Sequence, residues 1–222
     1  MTAAGVDRPP SGLASARGMR PARLRLAGLR LVRLYLASRR ALTCLLVLVA
    51  FAVALRTALH WMPRSGLASR QLPLTIQAGA AALIGVTTRS PFGEPERATG
   101  RWLPLLRLGT VTLLAGAAVG ALVAGSASAH LAGGTLGMLR DLAGLTGIAL
   151  LTAALLGGTL AWVGPLAYLV VTLHALQAAW TTPWVWPVRP PDDRGAALCA
   201  ALVLAAGVAV ITMRGARDTA GE

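Results

Sequence analysis

Apolar runs of about twenty residues recur along this chain, and each is nearly free of charge. In ALTCLLVLVAFAVALRTALH, residues 41–60, Arg56 is the single charged group. A helix of roughly 20 apolar residues crosses the hydrocarbon core of a bilayer. Inside lipid no water satisfies the backbone N–H and C=O groups, so such a run closes its own hydrogen bonds as a helix. The same pattern predicts spans over 41–60, 70–88, 104–128, 139–158, 161–180 and 195–213. The fourth and fifth are parted by Gly157–Gly158 and by Trp162, Gly164 and Pro165, which read as a tight turn. Without that turn, 139–180 would be one broken span. Composition agrees: 13% of the 222 residues are charged and 55% hydrophobic, against about 25% charged in a soluble domain. The expected fold is all-α, a polytopic transmembrane helical bundle of six spans.

All 21 basic residues are Arg, and the net charge is +13. Basic excess suits nucleic acid, but beside apolar runs it reads as the bias of cytoplasmic segments. No nucleic-acid partner is expected. With both termini cytoplasmic, fifteen Arg lie inside; Arg56, Arg64, Arg70, Arg140, Arg189 and Arg194 lie outside. Residues 1–19, rich in Ala, Gly, Pro and Arg, read as a disordered tail, and 214–222 as a cytoplasmic tail. A cleaved signal peptide is not expected, because the first strong apolar run begins only near residue 41. Residues 20–40 read as a basic amphipathic helix. Leu24, Leu31 and Tyr35 keep one rhythm and Arg23, Arg30 and Arg33 another, which suits the interface and its anionic lipids.

Chemistry-bearing groups are sparse. With no Lys, the chain lacks a phosphate-binding GxxxxGK[ST] loop. Cys44 and Cys199 sit in apolar runs without a CxxC partner, so no metal site is expected. GSASAH, residues 125–130, offers Ser126, Ser128 and His130. It lacks the GxSG-type motif of rhomboid-like proteases and reads as the small-residue end of a span. No catalytic residues are expected, and an intramembrane serine hydrolase is a third alternative. Gln77 lies in mid-span and is a candidate pathway-lining residue. Arg140 and Asp141 are placed near a span end, where such groups snorkel to headgroups. As sequence neighbours on a helix they are not expected to face each other. Trp184 and Trp186, in TTPWVWPVRPPDDR, are expected in the interfacial aromatic belt. Gly116 and Gly120 form GxxxG, a helix-packing signal.

The stretch SPFGEPER, residues 90–97, carries two of the chain's eight acidic residues. It falls on the cytoplasmic side between the second and third spans. Taken alone it reads as a solvated turn. Together with the basic helix, the six spans and a longer segment between spans five and six, the arrangement resembles the membrane subunit of an ATP-binding-cassette type 2 exporter. The likeness is to the small actinobacterial form that lacks a fused ATPase. LRDLAGLTGIALLTAALLGGTLAWVGPLAYLVV (139–171) and SPFGEPERATGRWLPLLRL (90–108) carry it.

The resemblance implies a bacterial plasma-membrane permease that is not itself an enzyme and binds no cofactor. ATP would sit on a partner ATPase subunit, and a second permease, identical or different, would complete the pathway. Residues 20–38 would be the elbow helix. The 89–102 loop would dock the ATPase through Phe92, Glu94, Glu96, Arg97 and Arg101. A non-transporting membrane scaffold is the alternative reading.

Overall fold

The computed structural model describes residues 41–61, 67–88, 103–126, 134–180 and 182–214. Among these residues the chain is helical, without a strand. Six long helices follow in order: α1 (Ala41–Trp61), α2 (Leu67–Thr87), α3 (Leu103–Ser126), α4 (Gly134–Leu156), α5 (Val163–Ala178) and α6 (Arg194–Arg214). Single 3-10 turns at Gly158–Leu160 and Trp186–Val188 occupy the joints before and after α5. The predicted elbow helix with Arg23, Arg30 and Arg33 lies outside the described residues, as does the 89–102 loop.

Among the described residues five segments are long and apolar enough to cross a membrane: Thr43–Trp61, Leu108–Ser126, Gly134–Leu156, Gly158–Ala178 and Arg194–Arg214. They suit a multi-pass membrane protein. α2 falls short of the others because Arg70, Gln71, Thr75 and Gln77 interrupt its Leu and Ala residues. Leu46, Val49 and Val53 on α1, and Leu198 and Leu202 on α6, are all more than half exposed. Apolar surface on that scale is costly in water and costs nothing against lipid.

The turn between α4 and α5 makes two helices of 139–180. Gly157 has φ 96°, a region that a side chain disfavours. Leu160 N–H then donates to Gly157 O at 3.1 Å. Pro165 falls in the first turn of α5, where a missing N–H does no harm. The two helices run back along each other: Gly164 faces Ile148 and Thr152, and Leu169 packs in one cluster with Leu145.

α4 is the central element. In its apolar window 56% of residues are buried, against 17–28% in the other four candidate spans. On one side it meets α6 so closely that a Cβ at Gly147 would lie 2.6 Å from the Leu204 backbone. On another side Leu145 clusters with Leu74, Ala78 and Ala81 of α2. α1 and α3 complete the bundle through Leu48, Leu55, Ile84 and Leu122. Small residues set these distances, as expected where lipid supplies no hydrophobic drive between helices.

Candidate functional site

One end of α2 and one end of α4 wall a half-open cavity of about 330 Å³, with polar and apolar groups in its lining. α2 contributes Arg70, Pro73, Leu74 and Gln77; α4 contributes Gly134, Gly137, Met138 and Asp141, with Arg140 beside them. Both sets follow the i, i+3, i+4, i+7 spacing that lines one helix face. The third wall is Pro187–Pro191, from the segment joining α5 to α6.

The cavity holds a buried ion pair. Arg140 Nε donates to Asp141 Oδ1 at 3.2 Å, with side-chain exposures of 6% and 11%. Sequence adjacency did not keep them apart, contrary to expectation. The reason is the start of α4, at Gly134 instead of 139, which places both residues about two turns into the helix. There the guanidinium cannot reach bulk water, and a buried charge needs partners. It arches over its neighbour and finds three acceptors. Besides Asp141, Nη1 donates to Pro190 O at 2.7 Å and Nη2 to Arg189 O at 3.1 Å. Arg140 therefore ties the proline segment to α4.

The segment is held at further points. Tyr168 Oη donates to Trp184 O at 2.8 Å, and the Tyr168 ring stacks on Trp186 with centroids 4.5 Å apart. Trp186 lies over Gly144, where any Cβ would collide with the indole. The two tryptophans predicted for the interface therefore part company. Trp184 is 49% exposed, whereas Trp186 is 3% exposed and packs inward with Ala196 and Ala200 of α6. Where the segment enters α6, Asp193 Oδ1 accepts the Gly195 and Ala196 N–H groups at 2.8 and 3.2 Å, capping the helix. Its Oδ2 pairs with Arg189 Nε at 2.5 Å. The Ala196 amide, and after it the Arg189 guanidinium, hold the Asp193 carboxyl below the usual carboxylate range.

Gln77 is the residue in this site that sequence reasoning had singled out. It is 3% exposed, and its Oε1 has no hydrogen-bond partner among the described residues. An amide acceptor buried without a donor costs roughly 1–3 kcal/mol. The Arg140–Asp141 pair and the stack of Tyr168 on Trp186 were missed. The available signal was LRD set inside a run with GMLRDLAGLTG spacing, followed fifty residues on by a proline-rich segment.

Other candidates separate. Phe92, Glu94, Glu96, Arg97 and Arg101 lie outside the described residues, as do Ser128 and His130. Ser126 is buried, and its hydroxyl donates to Val123 O at 3.0 Å, within its own helix. His174 meets Trp180 edge-on at 5.7 Å. Cys44 and Cys199 are both free thiols. Among the described residues no three His, Cys, Asp or Glu side chains gather as a metal site would require. A Cβ at Gly116 or Gly120 would meet nothing within 4 Å.

Comparison with known proteins gives no match to a family model, a curated protein or a solved structure.

Proposed function

We propose that the chain is a membrane transport subunit, the permease of an exporter powered by a separate ATPase. The observation that carries this reading is the half-open cavity between α2 and α4. In an apolar bundle, polar and ionisable groups facing inward are expensive and mark pathways for polar cargo. α2, the least apolar of the six helices, is then the sixth span, shielded from lipid by its neighbours and exposing Gln77 to the pathway.

Six spans leave both termini on the cytoplasmic side, and the cavity then opens on the outer face. The ATPase docks on the 89–102 loop, where Glu94 and Glu96 meet basic or amide groups of that subunit. Pro91 and Pro95 stiffen the loop, so that ATPase closure moves the spans instead of being absorbed. ATP belongs to the partner. A second permease, identical or different, completes the pathway, and anionic lipids hold the basic N-terminal helix.

The test is co-purification from native membranes. An ATPase should accompany the chain and should be lost when Glu94→Arg and Glu96→Arg are combined, while membrane insertion is unchanged. Full retention of the ATPase by that double variant sinks the docking role. Absence of any ATPase leaves a membrane scaffold.

A further inference from the structure

The cavity has more acceptors than its own donors use. Gln77 Oε1 has no partner among the described residues. The Arg140 bond to Asp141 uses Oδ1 and leaves Oδ2, among the described residues, to the cavity that Asp141 lines. Arg140 spends three of its five N–H groups on Asp141, Pro190 and Arg189, and neither of the other two reaches Gln77 Oε1. Nor can the third wall supply many: Pro187, Pro190 and Pro191 have no N–H. The inner end of the cavity therefore calls for a ligand with several N–H donors.

The outer end has the opposite character. Arg70 lines the cavity, is exposed, and makes no ion pair with an acidic side chain among the described residues. It precedes Gln77 by two turns on the same face of α2, about 10 Å along the axis. The long arginine side chain can close much of that gap over the cavity mouth. The remaining charges balance: Arg140 with Asp141, and Arg189 with Asp193. Among the described residues that line the cavity, Arg70 is the cation left uncompensated, and it favours an anionic group.

We propose that this cavity binds a small zwitterion, its primary ammonium on Gln77 Oε1 and Asp141 and its anionic group on Arg70. About 330 Å³ lies at the lower end of the range that encloses small ligands. The same chemistry occurs in a free amino-phosphate and in an aminophospholipid headgroup. A quaternary ammonium has no N–H to donate and is refused. The site stands independently of the ATPase reading, because every residue in it belongs to this chain.

The experiment uses the full chain, purified in detergent and titrated calorimetrically with phosphoethanolamine and with phosphocholine. Phosphoethanolamine should bind and phosphocholine should not. Gln77→Leu should weaken binding about tenfold, the loss of one hydrogen bond to a charged group. The same variant should unfold at a higher temperature than the parent, because it removes an unpaired buried acceptor. A residue of purely structural value would show the reverse in stability and no change in affinity. Gln77→Glu should bind more tightly, and Arg70→Gln should weaken phosphoethanolamine while leaving plain ethanolamine unaffected.

The second arm places the protein in nanodiscs of phosphatidylethanolamine or phosphatidylcholine and reads bound lipid by native mass spectrometry. Binding in the titration alone identifies a soluble zwitterion. Selective retention of phosphatidylethanolamine alone, lost in Gln77→Leu, identifies a headgroup. Equal binding of the choline and ethanolamine forms, or binding of neither in both arms, overturns the proposal.

Discussion

The two sides of α4 are built on opposite terms. Toward α6 the contact is dry and made of backbone: Gly147 lies against Leu204, and Gly207 returns the approach from the other helix. Toward α2, at the end that holds Arg140 and Asp141, the contact is wet in character and made of side chains that need partners. On the first side the helices meet through backbone and small side chains. The second retains an unpaired acceptor on Gln77. One helix thus supplies both the rigid reference of the bundle and the wall of its cavity. The difference teaches that stability and binding capacity are carried by different faces, and each should yield to different substitutions.

The contrast is broken most severely at Arg140. Arg140→Ala removes the donor to three acceptors and strands the Asp141 carboxylate. A loss of about 4 kcal/mol is expected, read as a fall in the detergent unfolding midpoint. Replacing the pair together, Arg140→Met with Asp141→Leu, should recover most of that loss, because no buried charge then lacks a partner. Gly147→Val attacks the other side. It pushes a side chain into the Leu204 backbone and should cost about 3 kcal/mol, with gain of protease sensitivity in the α4–α5 turn as an independent readout.

Asp193 gives a smaller effect with a definite pH signature. Its folded carboxyl ionises below the usual value of 3.8. The cap therefore stabilises the fold in full above that value, and the contribution fades as pH falls through the lower, folded value. Asp193→Ala should lower the midpoint at neutral pH, and the gap from the parent should narrow in strong acid. A gap that widens on acidification contradicts the capping assignment. Gly116→Ala with Gly120→Ala should change least, within about 0.5 kcal/mol, since both added methyls enter open space. A larger drop in a monomer would mean that α3 packs differently.

Much of the helical layout was legible from hydropathy alone. The segment read as 41–60 is a helix over Ala41–Trp61, and 195–213 becomes Arg194–Arg214. The turn at Gly157 was legible from Gly–Gly followed by Gly164–Pro165, since both residue types limit helix continuation. The N-terminus of α4 was not. GGTLGM offers little hydropathy, and the helix begins at Gly134, whose φ of 61° suits a glycine. That shift of five residues moved Arg140 and Asp141 from a presumed headgroup position into the bundle. Gln77 was legible as a polar residue within an apolar run, yet the other walls of its cavity come from residues 134–141 and 187–191, far along the chain. Pairing across that separation leaves no periodic trace in a single sequence. The burial of Trp186 was illegible for a related reason: it depends on Gly144, a residue whose small size is uninformative until the indole is seen above it.

The bond between neighbours at 140 and 141 also has a consequence for biogenesis. During synthesis α4 emerges well before its other partners, since Pro190 follows Arg140 by 50 residues and Arg189 by 49. For that interval neither carbonyl exists to receive the guanidinium. Asp141 does, because it is made one residue later. The helix can enter lipid with its charge already neutralised, and the proline segment takes over the remaining donors when it arrives.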